Sequence, residues 1–223
     1  MNEAASLEKP YLPSFGRKRG RVLRPRKAGL WQELLPQVAY TPDWMPEAPL
    51  HLEIGYGSGE YLAHKAGLYP DRQYIGCEVY ENGIATMLGH IEKAALKNVR
   101  LYTEDARLLL ETLPPQSLAG VDILFADPWP KRKHKKRRII NPETLDILAR
   151  LMSSGAPLFL ATDHYDYLQW MLAQMLARED FTWLAKGPED WRNPPADYVM
   201  TRYEAKARAG GNHDIHYLRF IRN

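Results

Sequence analysis

The stretch LEIGYGSGE, residues 52–60, sets Gly55, Gly57 and Gly59 at alternate positions, directly behind an apolar run and directly ahead of a helical one. Glycines so placed allow a tight turn and a close approach of backbone to a ligand. PLHLEI (49–54) reads as a buried strand and residues 59–69 as a helix. The same alternation continues outward. QYIGCEV (73–79), VRLYTE (99–104), VDILFA (121–126) and APLFLAT (156–162) read as strands. Helices are expected over 82–96, 106–112 and 142–152, the last opened by Asn141 as cap and Pro142 in the first turn. Leu168, Met171, Leu172 and Met175 share one helical face, and FTWLA (181–185) and IHYLRFI (215–221) supply two further strands. This order predicts an α/β fold, a mostly parallel sheet with helices on both faces. Such sheets bind ligands beyond the carboxyl ends of their strands. Glu53, Glu78, Asp105, Asp127 and Asp163 each fall at or just past the end of one of five successive strands. Any one of them passes as an ordinary loop or cap carboxylate; five in register point to a site.

With 223 residues, 45% hydrophobic, and six Trp, the chain is expected to form one globular domain, with or without an appended arm. One Cys, Cys77, excludes an intramolecular disulfide and fits a reducing compartment. The first thirty residues hold no apolar leader core and no run is long enough to span a bilayer, so a soluble, cytoplasmic protein is expected. Seven scattered His and the lone Cys offer no zinc spacing, and no metal is expected. The net charge of +3 hides a segregation: residues 17–27 and 131–138 each carry seven Lys or Arg and no acid. Outside them, 16 basic residues face 27 acidic ones. An acidic body with two cationic patches suits a polyanion docked at defined places; the plainer reading is two solvated, mobile segments. Residues 1–30, punctuated by Pro10, Pro13 and Pro25, are expected to be a flexible basic arm. A linker with Pro36, Pro42, Pro46 and Pro49 leads on from it, and the folded domain takes in 31–223.

A dinucleotide fingerprint would put its third glycine at position 60, but Glu60 stands there, and an acid opening the helix repels pyrophosphate. The acid-x-Gly-x-Gly-x-Gly spacing from Glu53 to Gly59 instead resembles motif I of the class I S-adenosylmethionine-dependent methyltransferases. That resemblance implies a Rossmann-like sheet of seven strands with an antiparallel last strand. Its ligand carries a sulfonium, an ammonium and a ribose diol, and no phosphate, so carboxylates suit it. The resemblance gives Glu78 to the ribose hydroxyls, Asp105 and Ala106 to adenine, Glu53 to the methionine ammonium, and Asp127 to the gap between donor and target. A nicotinamide dehydrogenase would keep Glu78 but leave Asp105 and Glu60 without a role.

DPWPKRKHKKRR (127–138) and TRYE (201–204), taken with residues 52–60, resemble the bacterial tRNA (guanine-N7-)-methyltransferase family over roughly residues 30–223. The resemblance implies methylation of the guanosine at position 46, in the variable loop of tRNA. Neutral guanine N7 carries a lone pair and no proton, so it attacks the methyl group without a general base. Catalysis then rests on positioning and on electrostatics around a ring that becomes cationic. By the same resemblance Asp127, Asp163 and Glu204 are the catalytic carboxylates, with Asp163 and Glu204 accepting from guanine N1–H and the 2-amino group. Thr201, Arg202 and Tyr203 complete the substrate segment, Lys131 meets a phosphate or O6, and Lys133, His134, Lys135, Lys136, Arg137 and Arg138 line the tRNA backbone, with His134 as a spacer. Trp129 either stacks on a base or packs under its loop; Trp191 and Arg192 either touch RNA or belong to a lid; Tyr217 and Phe220 read as packing. The expected partners are tRNA and S-adenosylmethionine, with no membrane, and a monomer is the default. Other readings are a non-catalytic RNA-binding protein on this fold, a methyltransferase of another RNA site, or one of a small molecule.

Overall fold

The computed structural model describes residues 16–223; of the expected basic arm, residues 1–15 lie outside the described residues. The seven strands are β1 (Leu50–Ile54), β2 (Gln73–Cys77), β3 (Val99–Tyr102), β4 (Leu118–Leu124), β5 (Pro157–Thr162), β6 (Phe181–Trp183) and β7 (His216–Arg222). They form one sheet in the order β3-β2-β1-β4-β5-β7-β6. Strands β1 to β5 pair in parallel, and β7 runs antiparallel between β5 and β6. The strand order reverses at β1 and β4, so a crevice opens at their carboxyl ends.

Period-2 alternation gives the sheet two different faces. Leu50, Leu52 and Ile54 of β1 join Ile75, Cys77, Val121, Ile123, Leu158, Leu160 and Leu218 in one apolar layer. Residues of α5 (Ala106–Thr112), α6 (Pro142–Leu151) and α7 (Tyr165–Leu176) cover it, among them Leu109, Leu145 and Leu168. The opposite face is split. One cluster gathers Tyr74 with Leu62 of α3 (Glu60–Leu68) and Ile84 and Leu88 of α4 (Glu81–Ala94). The other gathers Leu124, Phe159, Ala161 and Tyr217. Between them run His51 and Glu53 of β1 and, in register with Glu53, Asp122 of β4. This polar seam was not legible in VDILFA, where one acid among apolar neighbours reads as strand alternation.

Strands β2, β3, β4 and β6 each stop two residues earlier than sequence patterning suggested. β4 ends at Leu124 because Phe125 takes a left-handed φ of 53° and turns the chain out of the sheet. Asn141 does cap α6, its Oδ1 accepting from Thr144 N at 2.9 Å. The N-terminal region departs most. Helix α1 (Pro25–Glu33) crosses the expected boundary at residue 30, and α2 (Leu35–Val38) occupies the expected linker. Leu30, Trp31, Leu34 and Leu35 pack on the α3–α4 cluster. Arg26 meets Glu92 at 2.7 Å and Lys27 Nζ donates to Thr86 Oγ1 at 2.6 Å. The cations of this stretch masked an apolar stripe that needs a partner. No helix among the described residues is long and apolar enough to cross a membrane.

Helix α4 packs directly on the glycine turn. A Cβ at Gly83 would lie 2.3 Å from the Gly57 carbonyl oxygen, whereas one at Gly89, on the same helix, would meet nothing within 4 Å. Gly83→Ala is expected to destabilise the fold by about 1–3 kcal/mol through overpacking. Gly89→Ala should be neutral or stabilising by up to about 1 kcal/mol. Parallel melting curves of the two variants check the pair.

Candidate active site

The turn from β1 into α3 is made by three left-handed glycines, with φ of 75° at Gly55, 57° at Gly57 and 83° at Gly59. Gly59 caps α3, and a Cβ there would strike Met87 Sδ at 2.3 Å. Gly55 and Gly57 face open space instead, with no atom within 4 Å of an added Cβ. The turn is pinned by Gly55 N donating to Cys77 O (2.7 Å) and by the Glu78 carboxylate. Glu78 Oε2 accepts from Gly57 N at 2.9 Å, and Oε1 accepts from Val79 N (2.7 Å) and Tyr80 N (2.9 Å). Burial pushes the Glu78 carboxyl up, and these three N–H donors hold it down.

A cavity of about 960 Å³ opens over this turn, within the range of small-molecule sites. It is lined by Glu53, Glu78, Asp105, Ala106 and Asp127 together with Gly55 and Gly57, so the residues expected to meet the donor share one cavity. Asp105 caps α5, accepting from Arg107 N at 2.9 Å, and also pairs with the Arg107 guanidinium at 2.8 Å. Glu53 is 3% exposed, and its Oε2 has no hydrogen-bond partner among the described residues. Burial, then the charges of Asp122, Glu60 and Glu78, raise its carboxyl well above the usual range. Asp122, its neighbour across the strands, is pushed from 3.8 to about 7 by burial. Tyr61 OH lies 3.5 Å from Asp122 Oδ1. Asp127 sits exposed at the mouth, its carboxyl raised by partial desolvation. The donor set fits S-adenosylmethionine. An orphaned buried carboxylate oxygen suits an ammonium, and the open glycine turn suits an adenosyl group. Glu60, on the cavity at the start of α3, opposes a pyrophosphate there.

The opposite wall holds Thr201, Arg202 and Tyr203, as expected, but not Glu204. TRYE is the start of helix α9 (Arg202–Ala209): Thr201 Oγ1 accepts from Glu204 N at 3.1 Å, the first half of a capping box. The spacing Thr-x-x-Glu carried that signal. Glu204 itself is 1% exposed, with Oε1 accepting from Tyr217 OH (2.6 Å) and Arg208 Nε (2.8 Å) and Oε2 from Tyr198 OH. The expectation that it faces a guanine edge is therefore corrected: it lies behind the cavity wall, and its oxygens are engaged with protein donors. Asp163 lies off the lining, with Tyr203 OH 3.4 Å from both oxygens and Asn212 Nδ2 at 3.2 Å.

The basic tract folds into a 3₁₀ turn over Arg132–Arg137, which separates its charges into different surroundings. Lys131, Arg132, Lys133 and Lys136 are exposed. Lys135 pairs with Asp166 at 2.7 Å, and the Arg137 guanidinium lies 4.9 Å from the Trp129 ring centre. His134 meets Trp129 edge-on at 5.9 Å, and desolvation and the cations Arg137, Lys133 and Lys131 lower its pKa. Arg138 is wholly buried, against the expectation that it lines the tRNA backbone. Trp191 stacks on His216 at 5.6 Å in helix α8 (Glu189–Arg192), a packing role. Sequence reasoning missed Arg17, Arg21 and Lys27, which line the cavity because Lys18 O and Arg21 O accept from Glu81 N and Asn82 Nδ2, both at 2.9 Å. No group of three or more His, Cys, Asp or Glu among the described residues is placed to hold a metal ion.

This sheet and its cavity define a Rossmann-like methyltransferase. An rRNA methylase from Streptococcus thermophilus superposes with a TM-score of 0.53 at 12% identity, over 91% of this chain and 99% of that one, which speaks for the fold. A family model described as "Putative methyltransferase" matches residues 47–217. The chain is 41% identical to a tRNA (guanine-N(7)-)-methyltransferase of Zymomonas mobilis subsp. mobilis over 93% of each. It is 39% identical to one of Nitrobacter winogradskyi over 100% of this chain and 90% of that protein. The chain belongs to the tRNA (guanine-N(7)-)-methyltransferase family.

The desolvated acids of the sheet carry a pH signature. A carboxyl whose folded pKa is raised binds its proton more tightly in the native state, so stability falls as pH climbs from the unfolded value of 3.8 through the folded value of about 7. Asp122→Asn removes that penalty and keeps an acceptor for Tyr61. Its stability gain over the parent protein should grow by on the order of 1–3 kcal/mol between about pH 4.5 and about pH 8. Denaturant titrations at both pH values test it; a pH-independent difference would contradict the raised carboxyl.

Proposed function

We propose that the protein transfers the methyl group of S-adenosylmethionine to N7 of a guanosine in tRNA, at position 46 of the variable loop. The observation that carries this reading is the adjacency of an acid-lined cavity and a cationic rim, on a chain 41% identical to proteins named for that reaction. S-adenosylmethionine supplies an electrophilic methyl on a sulfonium. The chain's residues hold and orient: Glu78 accepts from the ribose hydroxyls while it braces the glycine turn, and Glu53 faces the methionine ammonium. Asp105 and Ala106 take the adenine edge, with Arg107 sharing the Asp105 carboxylate. Asp127, at the mouth, stands between donor and target and stabilises the ring as it gains positive charge.

On the target side, Asp163 is the acceptor for guanine N1–H and the 2-amino group, with Tyr203 OH at 3.4 Å and Asn212 Nδ2 at 3.2 Å beside it. Thr201 adds a hydroxyl and Tyr203 a ring beside Phe125, 5.2 Å away. Glu204 ties α9 to β7 and so places Thr201 and Tyr203. Lys131, Arg132, Lys133 and Lys136 hold backbone phosphates while the base leaves its tertiary pairing, an opening that costs roughly a few kcal/mol.

Incubation with unmodified tRNA and methyl-labelled donor, then borohydride and aniline cleavage, should place a strand break at guanosine 46. Label at another atom or an unlabelled tRNA would overturn the reading. Asp163→Asn is expected to lower kcat by roughly 30- to 1000-fold, as for removal of one preorganised electrostatic contact, with tRNA affinity little changed. Lys133→Glu with Lys136→Glu should weaken tRNA binding and make log K fall less steeply with log salt, by about one unit of slope for each phosphate no longer neutralised. Donor affinity in that double variant should equal that of the parent.

A further inference from the structure

The run that looks like uniform charge in sequence contains one residue of a different kind. Arg138 is 0% exposed at its side chain. Its Nε donates to the Pro128 carbonyl at 2.8 Å, and its Nη2 donates to Asp166 at the start of α7. The guanidinium lies 4.9 Å from the Tyr167 ring centre and 5.1 Å from that of Trp170. Nearby backbone is clamped to the same helix: Trp170 Nε1 donates to Ile140 O at 2.6 Å, and Ile140 N donates to Tyr167 OH at 3.3 Å. Arg138 is therefore fixed from the scaffold side and reaches outward to one carbonyl.

That carbonyl belongs to a turn under strain. Phe125 and Trp129 have φ of 53° and 42°, left-handed conformations that bulky residues rarely adopt. Such backbone persists only where its surroundings over-determine it, and it collects at functional sites. Pro128 and Pro130 have no amide hydrogen to contribute. Phe125 N donates to Ala161 O at 2.8 Å on the sheet side, and Arg138 grips Pro128 on the other. Asp127 lies between those two fixed points and Trp129 directly after the second, both on the cavity.

A buried cation is costly to place and needs firm partners. The planar fork of a guanidinium meets a carbonyl and a carboxylate in two set directions, which a lysine ammonium on a flexible stem does not reproduce. Asp166 is shared with Lys135, and hydrogen bonds from Lys135 and Arg138 hold its carboxyl down at about 2, so the anchor stays ionised throughout the neutral range.

We propose that Arg138 is a positioning residue: anchored on Asp166, it braces the Phe125–Trp129 turn and thereby fixes Asp127 and Trp129 at the mouth of the donor cavity. The consequence for catalysis rests on the function proposed above; the bracing itself does not.

The test uses Arg138→Lys and Asp166→Asn in the full-length protein, with two readouts. Hydrogen exchange followed by mass spectrometry should show faster exchange in peptides covering residues 124–134, with β1, β4 and β5 protected as in the parent. Methyl transfer to tRNA should fall about 10- to 100-fold in kcat, the loss expected from a displacement near 1 Å. The salt dependence of tRNA binding should be unchanged. Unaltered exchange over 124–134 would overturn the proposal, whatever the activity. So would a parental kcat with a flattened salt slope, which would make Arg138 a phosphate contact after all. Exchange accelerated uniformly across the sheet would also overturn it, as the mark of general destabilisation. Should the parent protein methylate no tRNA, the functional reading fails, while the exchange result still decides the brace.

Discussion

The hydrogen bond from Gly57 N–H to the Glu78 carboxylate is the contact on which the site depends. It ties the turn after β1 to the end of β2 and closes a left-handed glycine path that no larger residue would follow comfortably. The same carboxylate accepts from Val79 and Tyr80, so one side chain organises the backbone at both strand ends. With that turn fixed, Gly55 and Gly57 present bare backbone to the cavity. The acids around it meet a ligand from a frame that needs little rearrangement, which is what preorganised electrostatics requires.

The second constraint is the seam of charge within the sheet. Glu53 and Asp122 stand in register on adjacent strands, between two apolar clusters, where desolvation opposes ionisation of both. A protein gains nothing in stability from such a pair. Of the two, only Glu53 lines the cavity, and the Lys65 charge favours ionisation of both. The neighbouring strands pack tightly beside it: a Cβ at Gly76 would strike Leu62 at 2.4 Å, and one at Gly120 would strike His51 at 2.5 Å.

Much of this was legible in sequence, and the failures have physical causes. The strands of the parallel core announce themselves as apolar runs, and Glu78, Asp105 and Asp127 follow from the rule that ligands bind at strand ends. Asp122 was hidden because a mid-strand acid looks like the polar half of an alternating pattern. Helix α1 was hidden because Arg24, Arg26 and Lys27 crowd its start while Leu30 and Trp31, with Leu34 just past its end, carry its packing. In TRYE the capping spacing was present, but burial of Glu204 depends on Tyr198 and Tyr217, which arrive from elsewhere in the chain. Arg138 was indistinguishable from its neighbours because a run of like residues says nothing about which side chain turns inward.

On the function proposed, the carboxylates around the glycine turn select a cationic adenosyl ligand over a phosphorylated one. Isothermal titration of the purified protein with S-adenosylmethionine and, separately, with NAD addresses it directly. Saturable binding of S-adenosylmethionine and no measurable heat from NAD are expected; binding of NAD with none of S-adenosylmethionine would refute this selectivity.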